Sequence, residues 1–186
     1  MLTVISDTHG TDDHRLTGRT LEAVRDADHV VHAGDFTTEA VYDAIEAEAA
    51  ELTADGPSSR RGSRPEGSLT AVAGNNERPA LRERLPAEAT VEWAGYRVLV
   101  VHGHRHSDTA LGMLARQEDA DIVVVGHSHR PEIDELDGRL LVNPGSYADP
   151  RRYRPAHAEL NVAEGTLRVC LRSPDGDTFE TVTRPR

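Results

Sequence analysis

The sequence predicts an α/β protein of two packed mixed β-sheets flanked by helices. Three observations predict it. In the first half, short apolar β-type runs alternate with stretches of helical periodicity, the pattern of parallel βαβ units. The second half is richer in strands, joined by two-residue turns that end in glycine and signal hairpins. The run DIVVVGH is apolar without alternation, as a strand buried on both faces is.

In chain order, LTVIS (2–6) reads as a strand and RLTGRTLEAVRDA (15–27) as a helix. HVVHAGD (29–35) is the next strand, followed by a helix over TEAVYDAIEAEAAEL (38–52), whose apolar residues recur at helical spacing. Residues 53–68, TADGPSSRRGSRPEGS, are rich in Gly, Ser, Pro and Arg and read as a solvated surface-loop insertion. LTAVAG (69–74) is a strand. ATVEWAG (89–95) and YRVLVVHG (96–103) form a hairpin turned at Gly95, and DTALGMLARQEDA (108–120) a helix. After DIVVVGH (121–127), PEIDEL and RLLVNPG pair across Asp137-Gly138. AHAELNVAEGTLRVCLRS gives two strands turned at Glu164-Gly165, and DTFETVTR an edge strand. With 186 residues and no internal repeat, a single domain over 1–186 is expected.

Acidic residues number 32 against 21 basic ones, and every basic residue is Arg, for a net charge of −11. That balance argues against a generic binder of nucleic acid or of membrane surfaces, since both polyanions are repelled. Acid excess, absent Lys and few aromatics resemble the proteins of salt-loving organisms, so a halophilic setting is expected. At molar salt the Debye length falls to about 3 Å and weakens the repulsion. Cys170 is the lone cysteine and makes no internal disulfide. The chain opens directly on a strand, and no apolar run reaches membrane-spanning length, so a cytoplasmic location is expected. Homo-oligomer formation stays open.

Seven side chains suited to metals follow the apolar runs: Asp7, His9, Asp35, Asn75, His102, His127 and His129. A donor at the end of a parallel-type strand points into the crevice where α/β proteins bind ligands. Asp7 and His9 are two apart and, in an extended segment, face the same way. Asp35 follows a glycine, and a carboxylate can bridge two cations. At His127 and His129 the backbone turns from strand to helix, so the two imidazoles can reach different ions. Singly, each motif is more often a surface turn, Asn75 a turn residue, or His102 a hydrogen-bonded core histidine. Jointly, they make a set of oxygen and nitrogen donors fit for a pair of divalent ions.

DTHG, GD, GNNE, HGH and GHSH, in that order, with NPGS at Asn143 to Ser146, resemble the signature of the calcineurin-like metallophosphoesterases, closest to the small prokaryotic phosphodiesterase branch. The resemblance implies a four-layer α-β-β-α sandwich. It implies one ion held by Asp7, His9, Asp35 and His129, and a second held by Asp35, Asn75, His102 and His127. A hydroxide bridging the ions then attacks phosphorus in line. Mn²⁺ is the expected metal, with Ni²⁺, Co²⁺, Fe²⁺ and Zn²⁺ as alternatives, and a small phosphate ester the expected substrate, a diester before a monoester. The alternatives are a phosphomonoesterase of the same fold, a nuclease, and a non-catalytic scaffold resembling the retromer subunit.

Two positions depart from that pattern. Asn76 stands where many relatives carry a histidine that protonates the leaving group, and an amide has no proton to give near neutral pH. Glu77 stands where Asp is usual and is expected to orient a neighbouring donor with altered reach. Asn76 and His104 are the candidate catalytic residues, His104 through phosphate contact or proton supply. His14 and His106 are expected outside the donor set, His29 and His32 as packing or hydrogen-bonded partners, and Arg151, Arg152 and Arg154 as solvated loop charge.

Overall fold

Two mixed sheets stack face to face, with helices on the outer face of each. The structure, a computed structural model, describes residues 1–50 and 68–185, so the expected insertion over 53–68 lies, apart from Ser68, outside the described residues. The first sheet sets β1 (Leu2–Ile5), β2 (His29–His32) and β3 (Leu69–Ala71) parallel to one another. It continues beyond β1 through the antiparallel strands β9 (His157–Ala163), β10 (Thr166–Arg172) and β11 (Thr178–Pro185). In the second sheet β5 (Tyr96–Val101), β6 (Ile122–Val124) and β8 (Arg139–Pro144) run parallel. The antiparallel strands β4 (Glu88–Trp93) and β7 (Pro131–Leu136) form its edges.

The four layers follow from side-chain alternation along strands that are buried on both faces. Leu2 and Val4 of β1 point between the sheets, where they meet Val98, Val100, Val124 and Val142. Ile5 points outward, against α1 (Gly18–Asp26) and α2 (Glu39–Ala50). On β5, Leu99 and Val101 likewise turn outward under Leu111 and Ala115 of α4 (Asp108–Gln117). The absence of polar alternation in these runs is thus the mark of a sheet between two apolar layers, and the α-β-β-α order holds. Ala94-Gly95, Asp137-Gly138 and Glu164-Gly165 all have positive φ at both residues, the geometry that matches strand twist in two-residue hairpins.

Two elements differ from expectation. The first helix begins at Gly18 rather than Arg15, because Arg15 and Gly18 take φ of 56° and 53°, and Leu16 between them is buried against the helical layer. A short helix, α3 (Pro79–Arg84), follows the GNNE segment; it spans 6 residues, too few for a periodicity to show in the sequence. Its Leu81 is fully buried and anchors it to the first sheet. Among the described residues no helix is long and apolar enough to cross a membrane.

A buried charge cluster ties α1 to β9. Glu159 accepts from Arg19 Nε at 2.7 Å and shares Oε1 with His157 Nε2 at 3.1 Å, while Arg172 Nε lies 3.4 Å from its Oε2. Burial alone raises a carboxyl pKa; here His157 and Arg19 outweigh it and bring Glu159 down to about 2. A depressed carboxylate contributes stability above its unfolded pKa and loses it as pH falls through the folded value. The window is therefore from about 4.5 down to about 2. Unfolding free energy should fall by about 3 kcal/mol across it on this group's account. Glu159→Gln, compared with wild type by urea denaturation at each pH, should remove that portion of the acid dependence; parallel curves would show the cluster contributes nothing pH-dependent.

Candidate metal centre

The candidate site lies where the carboxyl ends of the parallel strands in both sheets meet, β1 to β3 from one and β5 and β6 from the other. Pairing continues past the strand ends: Asp7 N donates to Gly34 O at 2.9 Å, and His9 N to Asp35 O at 3.0 Å. Asp7, His9, Asp35, His127 and His129 all take left-handed backbone, with φ of 53°, 39°, 62°, 64° and 59°. That conformation costs a non-glycine residue about 1–2 kcal/mol, and its clustering at five candidate donors marks a functional site. It also corrects one expectation. Asp7 and His9 converge through two left-handed residues rather than through an extended segment, and His9 Nε2 ends 3.8 Å from Asp7 Oδ1.

The donors converge as two overlapping groups, Asp7 with His9 and His129, and Asp7 with Asp35 and His102. His129 Nε2 lies 3.2 Å from Asp7 Oδ1 and 3.3 Å from His9 Nε2. Asp35 Oδ2 lies 3.7 Å from His9 Nε2 and 3.4 Å from His102 Nε2. Asn75 Oδ1 is 3.1 Å from His102 Nε2, and the His127 ring centroid is 5.3 Å from that of His102. The imidazoles of His127 and His129 therefore diverge, one beside His102 and the other beside His9. All seven sequence-chosen donors reach this one region.

The chemistry of the set fits cations. His102 Nδ1 donates to the Ala33 carbonyl at 2.7 Å, so in the neutral ring Nε2 is a lone pair facing a carboxylate and an amide oxygen. His129 is turned the same way by its Nδ1 hydrogen bond to the Asp149 carbonyl. Lone pairs set against lone pairs need a proton or a metal between them. Asp7 Oδ1, buried, has no hydrogen-bond partner, while Oδ2 accepts from Ser6 Oγ at 2.6 Å and His127 N at 3.0 Å. Donors about 2.1 Å from a common ion at tetrahedral angles lie about 3.4 Å apart, in line with these spacings.

Electrostatics agree. Burial alone raises the Asp35 pKa, but His102 and the Asn76 amide and backbone N–H outweigh it and hold the carboxyl low and ionised. For His102 and His129 burial works towards a lower pKa, and the carboxylates, Asp35 for one and Asp7 for the other, reverse it. Burial, and then His102, lower His127.

The supporting residues are dense. Asn76 donates to Asp35 from its backbone at 2.8 Å and its side chain at 2.6 Å, so its amide is engaged by that carboxylate. Glu77 Oε1 accepts from the backbone N–H of Asp35 at 2.6 Å and of Phe36 at 3.3 Å; its longer arm grips the loop backbone. A Cβ at Gly74 would stand 2.1 Å from Asp35 Oδ1, so only glycine lets that strand end approach so closely. His104 lies beside His102, with ring centroids 5.3 Å apart, and burial followed by His102 lowers its pKa.

Asn143, Ser146 and His32 take positioning roles at this centre that the sequence alone does not assign to them. Asn143 Nδ2 donates to Gly126 O and Ser128 Oγ, both at 2.9 Å, and so shapes the turn that carries His127 and His129. Ser146 Oγ donates to Asp7 O at 2.7 Å. His32, fully buried, stacks on Phe36 with centroids 3.5 Å apart, accepts from Gly34 N and donates from Nε2 to Thr8 Oγ1. It bridges the loops after β1 and β2. The available signal was polarity inside buried strands, which means nothing until the neighbouring loops are placed.

Four layers and a nitrogen–oxygen donor centre define the metallophosphoesterase class, and the chain matches the calcineurin-like phosphoesterase superfamily domain over residues 1–165. It belongs to that family. A probable metallophosphoesterase of Methanothermobacter thermautotrophicus is 30% identical over 166 residues, covering 87% of this chain and 86% of the relative. Among solved structures, a conserved Streptococcus pneumoniae protein, a predicted phosphoesterase, has a TM-score of 0.66 at 24% identity, covering 98% of this chain and 97% of the other. Entamoeba histolytica Vps29 complexed with Zn²⁺ has a TM-score of 0.69 at 21% identity, covering 98% of each chain. At these identities the two structures establish a shared fold.

Proposed function

We propose that the chain is a phosphodiesterase that works with two divalent ions, Mn²⁺ first among them, sharing the Asp35 carboxylate. The observation that carries this reading is Asp35 Oδ2 lying between the imidazoles of His9, at 3.7 Å, and His102, at 3.4 Å. Asp7 stands in both donor groups but has only Oδ1 unclaimed, 3.2 Å from His129 Nε2, which supports giving it to one ion only. Asp7, His9, Asp35 and His129 would then hold one ion, and Asp35, Asn75, His102 and His127 the other. Cations held this way polarise a phosphoryl oxygen and bring the pKa of a bound water towards neutrality.

The chain's own residues favour diesters. Asn76 donates to Asp35 and has no proton to release, so an alcohol that needs protonation departs slowly. Burial, His102 and Arg105 lower the His104 pKa, which favours a neutral imidazole whose one N–H can be donated to a substrate oxygen but which has no acidic proton to give a departing alcohol. Metal-stripped protein titrated with Mn²⁺ should bind two ions per chain and hydrolyse bis-p-nitrophenyl phosphate with a higher kcat/KM than p-nitrophenyl phosphate. A single bound ion ends the two-metal reading, and a clear monoester preference ends the diester reading. Two ions bound without hydrolysis of either ester would favour a scaffold.

We infer a halophilic setting for this chain. A net charge of −11 without Lys implies self-repulsion that salt screens. The melting temperature of the metal-free protein should climb from low to molar KCl; a flat response removes that reading.

A further inference from the structure

A cavity of about 220 Å³ adjoins the candidate centre, with His102 in its wall. Its lining includes Arg82, Arg105, His104 and His106, with Leu85 and Ala87 as apolar floor, and none of the described residues lining it is acidic. In a chain with 32 acidic and 21 basic residues, an acid-free hollow with two guanidinium groups is an exception to the general surface. Among the described residues neither Arg82 nor Arg105 has a carboxylate partner. Arg82 is held in place by Nη2 hydrogen bonds to the Asn75 carbonyl at 2.8 Å and the Glu77 carbonyl at 3.2 Å, so its position is tied to the loop that carries candidate donors. His104 Nδ1 and His106 Nδ1 are both buried without a hydrogen-bond partner. Buried polar atoms left unmatched are costly unless a ligand completes them.

From this geometry we propose that the cavity is an oxyanion subsite. It takes a second phosphate or carboxylate carried on the leaving alcohol of the substrate. Arg82 and Arg105 supply the charge, and His104 and His106 supply hydrogen bonds. The volume is below the roughly 300–1,000 Å³ that drug-sized ligands occupy, so the occupant is a small charged group on a short chain. Guanidinium groups suit it because they present paired donors to the oxygens of one anion. The proposal rests on the phosphoesterase reading and names the substrate class of that same site: small phosphodiesters with an anionic leaving group.

The test uses two readouts. Metal-free protein at low ionic strength is titrated calorimetrically with inorganic phosphate. One phosphate should bind per chain, Arg105→Gln should weaken it at least fivefold, and Arg82→Gln/Arg105→Gln further. Arg116→Gln, which removes the same charge from an exposed position on α4, should not. Second, with Mn²⁺ bound, the ratio of kcat/KM for the methyl phosphodiester of a carboxylate-bearing phenol to that for the same diester with the carboxylate masked as its methyl ester measures selectivity. The phenol departs without protonation, so the group carrying the carboxylate is the leaving group, as product analysis verifies. The ratio should favour the anionic alcohol in wild type and fall at least fivefold in Arg105→Gln, an exposed substitution that does not threaten folding. The subsite is overturned if no phosphate binds at 10-millimolar order, if Arg116→Gln weakens binding as much as Arg105→Gln, or if the selectivity ratio is unchanged. If neither ester is hydrolysed by wild type, the phosphoesterase reading fails, while the phosphate titration still decides whether the cavity takes an oxyanion.

Discussion

Asp35→Asn should lower kcat/KM on bis-p-nitrophenyl phosphate by at least about 10²–10³-fold at saturating Mn²⁺, the loss that follows removal of a single central charge-stabilising group. The carboxylate lies between His9 and His102, and it is kept ionised by His102 and Asn76 against the cost of burial. An amide has the same shape and accepts at one oxygen, but it brings no negative charge to set against two cations and bridges them poorly. Because the substitution is isosteric, the loop backbone remains held by Glu77, and the new amide oxygen can still accept from the Asn76 N–H, the fold should survive. Near-ultraviolet circular dichroism and metal analysis accompany the kinetics: native tertiary signal with fewer than two ions per chain is the expected pair of results. A variant that keeps two ions and more than a tenth of the activity would remove Asp35 from the shared position.

Glu77→Ala should produce the largest loss of stability at this centre. The side chain is 4% exposed and its Oε1 accepts from two backbone N–H groups at the start of the Asp35 loop. Alanine leaves both donors buried without an acceptor, at about 1–3 kcal/mol each, partly offset by removal of the buried and unpartnered Oε2. A net loss of about 3 kcal/mol lowers the melting temperature by roughly 6–12 °C in a chain of this length. Metal affinity should fall about tenfold to a hundredfold, because the residue orients the carboxylate loop. Glu77→Gln keeps an acceptor oxygen at the same place and should recover most of both. If Ala and Gln behave alike, the backbone hydrogen bonds are not the source of the effect.

Much of this centre was legible along the chain because each donor is attached to a signal that is local. An apolar run followed by Gly and Asp, or by Gly and His, announces a buried strand and its end, and the carboxyl end of a parallel strand is where α/β proteins place ligands. The three Gly-ended hairpins were readable for the same reason, since a left-handed pair of turn residues is a two-residue requirement. The short helix over Pro79–Arg84 escaped because 6 residues span fewer than two turns and leave no period to detect. Arg15 and Gly18 delay the start of the first helix for a reason no local pattern carries: Leu16 has to reach the layer beneath α1 and α2.

The order of strands and helices, the layer each apolar residue fills, and the seven donors were set by the spacing of side chains along the backbone, which depends on neighbours only a few residues away. Tertiary structure alone decided how those donors meet. Asp7 and His9 converge through strained left-handed backbone, which is tolerated because that loop is pinned by His32 and Ser146, from segments far away in sequence. Asn76, read as a group for the substrate, turns to Asp35 because packing of β3 against β2 brings that carboxylate within 2.6 Å of its amide. Arg82 and Arg105 come together for a like reason: they lie 23 positions apart, Arg82 on α3, which is anchored to the first sheet, and Arg105 in the loop that follows β5 of the second. A basic cavity beside the centre exists only once the two sheets have packed, because burial and electrostatic convergence depend on distances that the linear order of residues does not contain.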